Sequence, residues 1–203
     1  MARSPWDEST DEGLMRQFQA GDRAAFAPLM RRHLGGVYNF VARHTTPGPT
    51  AEDLTQEVFL RVVERARGFK HESRFSTWLY TIARNLCTDT LRKMAHRHHA
   101  SLDDLGEGGR PLGDLIRDDD PAITGERVAS SREMGARISQ ALLELPEEQR
   151  EVFLLREVAN LPFQEIALVT GAPENTVKSR MRYALEHLQE ALEDYEEVAR
   201  ALR

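Results

Sequence analysis

Three cations at alternate positions near the carboxyl end of the sequence could bind the phosphates of DNA. Lys178, Arg180 and Arg182 lie in the stretch "TGAPENTVKSRMRY". Cations on a helix can hold a protein against the DNA backbone while polar neighbours reach base edges in the major groove. The whole chain has a net charge of −6, which argues against a protein that simply coats DNA. Any DNA-binding surface must therefore be a local cluster of basic residues.

The residues before these cations have the spacing of a helix-turn-helix. Ala167, Gly171 and Val177 supply a small residue for the helix contact, a glycine able to adopt a positive φ in the turn, and an aliphatic residue on the second helix. We expect the second helix to bury Val177, Met181, Ala184, Leu185 and Leu188 and to expose Asn175, Ser179, Arg182, Tyr183 and Glu186, with Lys178 and Arg180 at the sides. Because the motif is short, an ordinary helical hairpin with a solvated second helix stays an alternative.

A second basic segment covers residues 69–98, where six cations oppose two anions. In the helix predicted from Ser76, apolar residues form one stripe, and the other face has Trp78 and Asn85, with Tyr80 and Arg84 at its border. Aromatic rings interleaved with cations suit an unstacked nucleic acid, because each stacked base contributes about 1–3 kcal/mol. Trp78 and Tyr80 could instead be core residues at a helix start, and the sequence leaves both readings open.

No residue pattern indicates catalysis or metal binding. His96, His98 and His99 follow no zinc spacing, and a single cysteine, Cys87, offers neither a ligand pair nor an intrachain disulfide. The chain shows no glycine-rich phosphate loop and no nucleophile with a base and an orienting acid. We therefore expect no catalytic residues, no metal and no cofactor.

The stretch "AEDLTQEVFLRVVERA" predicts a helix with a broad buried arc that includes Leu54, Val58, Phe59, Val62 and Val63, after a capping box formed by Thr50 and Asp53. Leu60 lies on the opposite side, surrounded by Asp53, Gln56, Glu57 and Glu64. One exposed leucine is ordinary, but a leucine ringed by acids can also mark a docking face for a basic protein partner. The residues alone do not decide between these readings.

These elements predict an all-α fold of two helical domains. The first domain covers residues 10–99, the second covers 131–195, and an acidic flexible linker covers 100–130. Within residues 100–127, eight acidic residues oppose three arginines, so much of the negative charge lies between the domains. The acidic amino terminus is not a secretory signal, and no apolar run reaches the ~20 residues that cross a bilayer. We expect a cytoplasmic protein without membrane contact of its own.

The order of three stretches resembles one known family. "DLTQEVFLRVVERARGFK", "RFSTWLYTIARNLCTDTLRK" and, after the acidic linker, "LLELPEEQREVFLLREVANLPFQEIALVTGAPENTVKSR" closely resemble the extracytoplasmic-function group of bacterial RNA polymerase sigma factors. The resemblance covers about residues 10–195. It implies two domains, called regions 2 and 4, in a transcription initiation factor that binds core RNA polymerase and promoter DNA. Such proteins are commonly held inactive by an anti-sigma factor.

The resemblance also implies roles for particular residues. The polymerase would bind Asp53, Gln56, Glu57, Leu60 and Arg61. The minus-ten element would be opened by a loop that receives a flipped base, His71, Glu72, Ser73, Arg74 and Phe75, with Tyr80, Arg84 and Asn85 along the melted strand. The minus-thirty-five element would be read by Thr176, Lys178, Ser179, Arg180, Arg182 and Tyr183. Family members often have Arg or Lys where this chain has Tyr183, so we expect an unusual upstream element.

Two other functions compete with this interpretation. A stand-alone helix-turn-helix regulator would bind an operator without polymerase, but it leaves the helix "FSTWLYTIARN" without a role. An enzyme would need a catalytic constellation that the residues do not supply.

Overall fold

The computed structural model describes residues 10–45, 48–100, 135 and 137–201. Its helices are α1 (Asp11–Gln19), α2 (Phe26–His44), α3 (Pro49–Arg65), α4 (Phe75–Ala100), α5 (residues 137–144), α6 (Glu147–Glu157), α7 (Phe163–Thr170) and α8 (Glu174–Ala201). Within these ranges there is no strand, which confirms the all-α class. The predicted linker lies outside the described residues except for Ala100, as do the side chains of His96, His98 and His99.

The break between α1 and α2 occurs where Gly21 and Asp22 predict it. The Thr10 side chain caps α1 by accepting the Gly13 N–H at 3.1 Å. After Gly21, whose φ is +105°, Asp22 accepts the Ala24 N–H at 3.0 Å and starts a 3₁₀ turn that leads into α2. These local hydrogen bonds fold α1 back against α2.

Helix α3 begins differently from the prediction. Pro49 occupies its first turn, Gly48 before it has a φ of +118°, and no side chain caps the helix, so the expected capping box of Thr50 and Asp53 is wrong. Proline lacks a backbone N–H, but an N–H in the first turn of a helix has no acceptor within the helix, so nothing is lost. The fixed φ of proline is close to the helical value. The buried arc of α3 includes Val58 and Phe59 as expected, but Val63 is 42% exposed.

Helices α7 and α8 form the predicted helix-turn-helix. Gly171 ends α7 in the left-handed region, with φ 70° and ψ 13°, and its N–H donates to the Ala167 carbonyl at 2.9 Å. Val177 is fully buried against α7 and its surroundings, as expected of the aliphatic position. Leu185, which was expected to be buried, is 48% exposed.

The two halves of the chain pack against each other. Helix α4 contacts α7, and α2 contacts α6, so the described residues of both predicted domains share one continuous apolar cluster. None of the helices in the described ranges is both long and apolar enough to cross a membrane.

Candidate nucleic-acid interface

Helix α1 holds the loop that precedes α4. Gln19 donates from its amide to the carbonyls of Ala66 (2.7 Å) and Phe69 (2.9 Å) and accepts a hydrogen bond from His71 Nε2 at 2.8 Å. Glu12 Oε1 accepts the backbone N–H of Phe75, the first residue of α4, at 2.8 Å. His71 has a φ of +58°, an uncommon conformation for a non-glycine residue. The loop is therefore positioned by residues that precede their partners by 47 to 63 positions.

Aromatic rings pack under this loop. The Trp78 ring lies 5.1 Å from that of Phe69 and 6.0 Å from that of Phe75, measured between centroids. Phe75 is 1% exposed and belongs to the core, whereas Trp78 is only partly buried. Phe75 therefore belongs to the apolar core on which the loop packs. The sequence left open whether Trp78 is a core residue or an exposed ring for base stacking. In the structure it packs on the core and part of its surface stays accessible.

Tyr80 does not lie at the border of an exposed face, and that expectation is wrong. Its side chain is 3% exposed and packs edge-on against Phe40 of α2, with ring centroids 5.3 Å apart. Burial raises the pKa of Tyr80 to about 12. Helix α2 approaches so closely that a Cβ on Gly36 would lie 2.7 Å from the Tyr80 hydroxyl. Tyr80 therefore fills the α2–α4 contact, which helical periodicity does not reveal.

The polar candidates on and before α4 differ in accessibility. Asn85 is exposed. The Arg74 side chain is 69% exposed, and its Nε lies 3.0 Å from Glu165 Oε1. Arg84 is more buried, and its Nε donates to Glu151 Oε1 at 2.5 Å. The last two contacts cross from the amino-terminal half to helices α6 and α7.

An open cleft of about 430 Å³ adjoins the loop. Its lining consists of Glu12, His71, Glu72, Ser73 and Arg74 from the amino-terminal half and Gln164, Glu165 and Leu168 from α7. Four of the five loop candidates thus line one concave site, while Phe75 lies beneath it. A flat nucleobase needs such a site beside an aromatic support when it leaves the stack.

The exposed face of α8 carries the upstream candidates, and each of its cations has an acidic neighbour. Lys178 Nζ lies 2.6 Å from Glu174 Oε1, and Arg182 Nη1 lies 3.0 Å from Glu186 Oε1. Arg180 pairs with Glu148 of α6. Ser179 is exposed, and Thr176 is partly buried. Since pairs on an exposed surface contribute little, Lys178 and Arg182, whose side chains are 51% and 59% exposed, can exchange a carboxylate for a DNA phosphate.

Tyr183 contacts the cation next to it. The Arg182 guanidinium carbon lies 4.4 Å from the centroid of the Tyr183 ring, which is a cation–π distance. Tyr183 is 48% exposed. The tyrosine and Glu186 thus hold the guanidinium from two sides and limit its conformations.

Helix α3 presents the candidate protein-docking face. Leu60 is 58% exposed, and Arg61 donates to Glu57 at 2.9 Å. Asp53 and Gln56 are exposed beside them. Residues of α2 that the sequence did not single out extend this face: a groove of about 600 Å³ is lined by Leu34, Gly35, Tyr38, Glu52, Thr55 and Gln56.

Sequence reasoning missed the residues that act across long separations. Glu12, Gln19, Glu151 and Glu165 contact candidate site residues that are more than fifty positions away. No local pattern marks them, because an acidic or amide residue in a helix has the same sequence pattern whether it is exposed or covered by another helix. Among the described residues, no cluster of His, Cys, Asp and Glu could hold a metal ion.

Comparisons with known protein families match both halves of the chain. Residues 29–97 match Sigma-70 region 2, and residues 135–188 match Sigma-70, region 4. The first match contains the loop, the docking face and most of α4, and the second contains the helix-turn-helix.

Individual relatives match over nearly the whole length. The chain is 31% identical to the ECF RNA polymerase sigma factor SigW of Bacillus subtilis, over 89% of this chain and 95% of the relative. It is 32% identical to the RNA polymerase sigma factor CarQ of Myxococcus xanthus, over 92% of this chain and all of the relative. The fold resembles that of the sigma factor RpoE of Bartonella quintana, solved with the anti-sigma factor NepR, at a TM-score of 0.67 and 23% identity, covering 83% of this chain and 96% of that chain.

The fold and the site define a two-part helical DNA-binding protein that pairs a loop-and-helix cleft with a helix-turn-helix. The chain belongs to the extracytoplasmic-function group of the sigma-70 family of sigma factors. The resemblance seen in the sequence is thus confirmed, and the function class is that of a promoter-directing transcription initiation factor rather than a stand-alone operator-binding regulator.

Proposed function

We propose that this chain binds core RNA polymerase through α3, opens the minus-ten element with the loop and α4, and reads the minus-thirty-five element with α8. One observation carries the proposal: the helix-turn-helix and the loop cleft occur in one chain. A regulator that only binds an operator needs the first and has no use for the second. We also propose a cytoplasmic location and no catalysis by the chain itself.

The loop would act by receiving a base that leaves the duplex. His71, Glu72, Ser73 and Arg74 line the cleft, and Phe75 and Trp78 pack beneath and beside it. Unstacking a base costs a few kcal/mol, and a fitting pocket with an aromatic neighbour offsets that cost. Asn85 and Arg84 would then follow the separated strand along α4.

The upstream element would be bound by the exposed face of α8. Gly171 sets the angle at which α8 leaves α7, and this angle presents Thr176, Lys178, Ser179, Arg180 and Arg182 on one surface. Polar groups at the centre suit base edges, and cations at the sides suit phosphates. Tyr183 would restrain Arg182 and so influence which bases the guanidinium reaches.

The polymerase contact would use the face of α3 with Asp53, Gln56, Glu57, Leu60 and Arg61, extended by the α2–α3 groove. Leu60 provides an apolar anchor inside a charged rim, which is a common composition for a binding hot spot. The structurally similar RpoE was solved with an anti-sigma factor, and we propose that a partner of this kind also restrains this chain.

Run-off transcription tests the proposed function directly. Purified chain and core polymerase are incubated with genomic fragments, beginning with the region upstream of the protein's own gene. We expect specific transcripts only when both proteins are present. Nanomolar binding of duplex DNA by the chain alone, without specific transcripts in the mixture, would contradict the proposal and favour an operator-binding regulator.

Replacing Asn85 separates DNA opening from initial binding. Asn85→Ala should reduce permanganate reactivity of thymines in the minus-ten region severalfold while the polymerase complex still protects the upstream element. The partly buried Thr81 and Thr88 are unsuitable controls because they share this face, so Gln140→Ala at an exposed position of α5 serves as the control. Equal loss of protection and of permanganate reactivity would show that Asn85 acts in binding instead.

A further inference from the structure

Two carboxylates of the carboxyl-terminal half contact the proposed DNA-opening surface. Glu165 of α7 pairs with Arg74 at 3.0 Å and accepts a hydrogen bond from the Thr77 hydroxyl. Glu151 of α6 accepts from Arg84 Nε at 2.5 Å. The Glu165 side chain is 15% exposed and that of Glu151 is 9% exposed, so both carboxylates are largely enclosed by this contact.

The groups that these carboxylates bind are the ones a melted strand would need. Arg74 borders the loop cleft, and Arg84 lies along α4 before Asn85. A carboxylate offers a guanidinium the same kind of charged oxygen acceptor as a phosphate does. The carboxyl-terminal half thus supplies substitutes for two DNA phosphates.

Helix α7 also limits access to the loop cleft. Gln164, Glu165 and Leu168 line the cleft together with Glu72 and Ser73 of the loop. A base entering the cleft would approach past these side chains. Helix α7 therefore neutralises Arg74 through Glu165 and also restricts the access of a base to the cleft.

The contact between the halves leaves several buried polar atoms without partners. Within the described part of the chain, these include His44 Nε2, His71 Nδ1 and Arg150 Nε, which lie at or beside the contact. Each unpaired buried group destabilises the contact, and a buried ion pair adds little net stability because both charges lose water. A ligand that competes for these groups can therefore separate the two halves.

We infer that Glu151 and Glu165 form an intramolecular lock that masks the DNA-opening surface until the chain binds polymerase. This inference rests on the proposed function, because the masked surface is the one assigned to the minus-ten element. The lock predicts weak DNA binding by the free chain. Polymerase opens it by binding α3 and separating the two halves.

Binding of DNA by the free, full-length chain tests the lock. The probe is a fluorescent single-stranded DNA of mixed sequence, and its anisotropy reports the dissociation constant. The variant Glu151→Gln/Glu165→Gln should bind at least tenfold more tightly than the wild type. The control Glu144→Gln/Glu157→Gln removes the same charge from exposed positions of the same half and should change affinity much less. Equal gains in the two double variants would overturn the lock.

Because Glu151 is buried, its replacement could also disturb folding. Glu165→Gln alone leaves Glu151 in place and should shift the affinity in the same direction, with an unchanged circular dichroism melt. A single variant that melts like the wild type and binds DNA no more tightly would overturn the lock.

Energy transfer between the halves gives an independent measurement. Dyes are attached at Gln17→Cys on α1 and Gln189→Cys on α8, two exposed positions outside the proposed polymerase-binding and DNA-binding faces, in a Cys87→Ala background. Transfer should fall in the Glu151→Gln/Glu165→Gln variant and on addition of core polymerase to the otherwise wild-type chain. Unchanged transfer in both cases would overturn the lock. Specific run-off transcripts from the wild type would show that the proposed function stands even then, whereas their absence would count against the function itself.

Discussion

At the scale of single residues, the exposed face of α8 combines DNA-binding cations with restraints on them. Arg182 is held between the Tyr183 ring and Glu186. A restrained guanidinium loses less conformational entropy when it binds two acceptors on one base, which increases discrimination. Arg182 is therefore the residue of α8 from which we expect the largest contribution to specificity.

Arg182→Ala should weaken recognition of the upstream element by about 1–3 kcal/mol, the range for a guanidinium contact with one base pair. The measurement is competition binding of the polymerase complex to the promoter and to a copy with a scrambled upstream element. Gln189→Ala, an exposed change two turns later on the same helix, is the control. If Arg182→Ala weakens binding to both DNAs equally, Arg182 contacts only the backbone.

At the scale of secondary-structure elements, the turn between α7 and α8 depends on one left-handed residue. Gly171→Ala should lower the free energy of unfolding by about 1 kcal/mol, because a side chain disfavours the left-handed region. A Cβ there would meet no atom within 4 Å, so the cost comes from the backbone alone.

Gly35→Ala is a matched control for that experiment. Gly35 lies inside α2, and its Cβ would also meet nothing within 4 Å. Alanine at an ordinary helical position should raise the free energy of unfolding by about 0.5–1 kcal/mol. Urea unfolding of both variants should therefore give shifts of opposite sign, and shifts of the same sign would contradict the backbone explanation.

The docking face of α3 is a second feature at this scale. Leu60→Asp should abolish capture of core polymerase and leave the fold intact, since Leu60 is 58% exposed and makes little core contact. Met94→Asp places the same charge at an exposed apolar position of α4 and should leave capture unchanged. If Leu60→Asp captures polymerase at the wild-type level, α3 is not part of the polymerase interface.

At the scale of the whole molecule, the two halves meet at buried ionisable groups. Burial, together with the charges of Arg150 and Arg84, lowers the pKa of His44 to about 4. Burial raises the pKa of Glu151, although Arg84 opposes this shift. Burial, with the Glu151 charge adding to it, raises the pKa of Cys87 to about 12 and keeps the thiol protonated. The stability of the packing between the two halves should therefore depend on pH in the acidic range.

His44 should make the chain less stable as the pH falls. The unfolded chain binds a proton near pH 6.5, whereas folded His44 does not until about pH 4, so acidification within this window favours unfolding. The loss between pH 7 and pH 5 should be about 2 kcal/mol. Glu151 acts in the opposite direction, because its raised pKa lets the folded chain take up a proton first.

Urea unfolding at the two pH values measures this effect, with His44→Gln as the comparison. The variant removes the titrating group, so its stability should vary less with pH than that of the wild type. Identical pH dependence in both proteins would exclude His44 as the source.

The sequence by itself determined the features that rest on local patterns. Apolar spacing predicted the helices, Gly171 with Ala167 and Val177 predicted the helix-turn-helix, and the order of three stretches indicated the family. Backbone preferences and periodicity act over a few residues, so one sequence contains them. The same periodicity failed at Tyr80, Val63 and Leu185, where the neighbouring helix decides whether a border position is covered.

Only the tertiary structure decided which distant side chains meet. Gln19 fixes His71, and Glu151 and Glu165 bind Arg84 and Arg74, across separations that no local rule specifies. An acidic residue on a helix surface has the same pattern whether it faces water or a cation of another domain. The packing of α6 and α7 against the first half selects between these outcomes, because it brings the carboxylates to the arginines and shields the carboxylates from water.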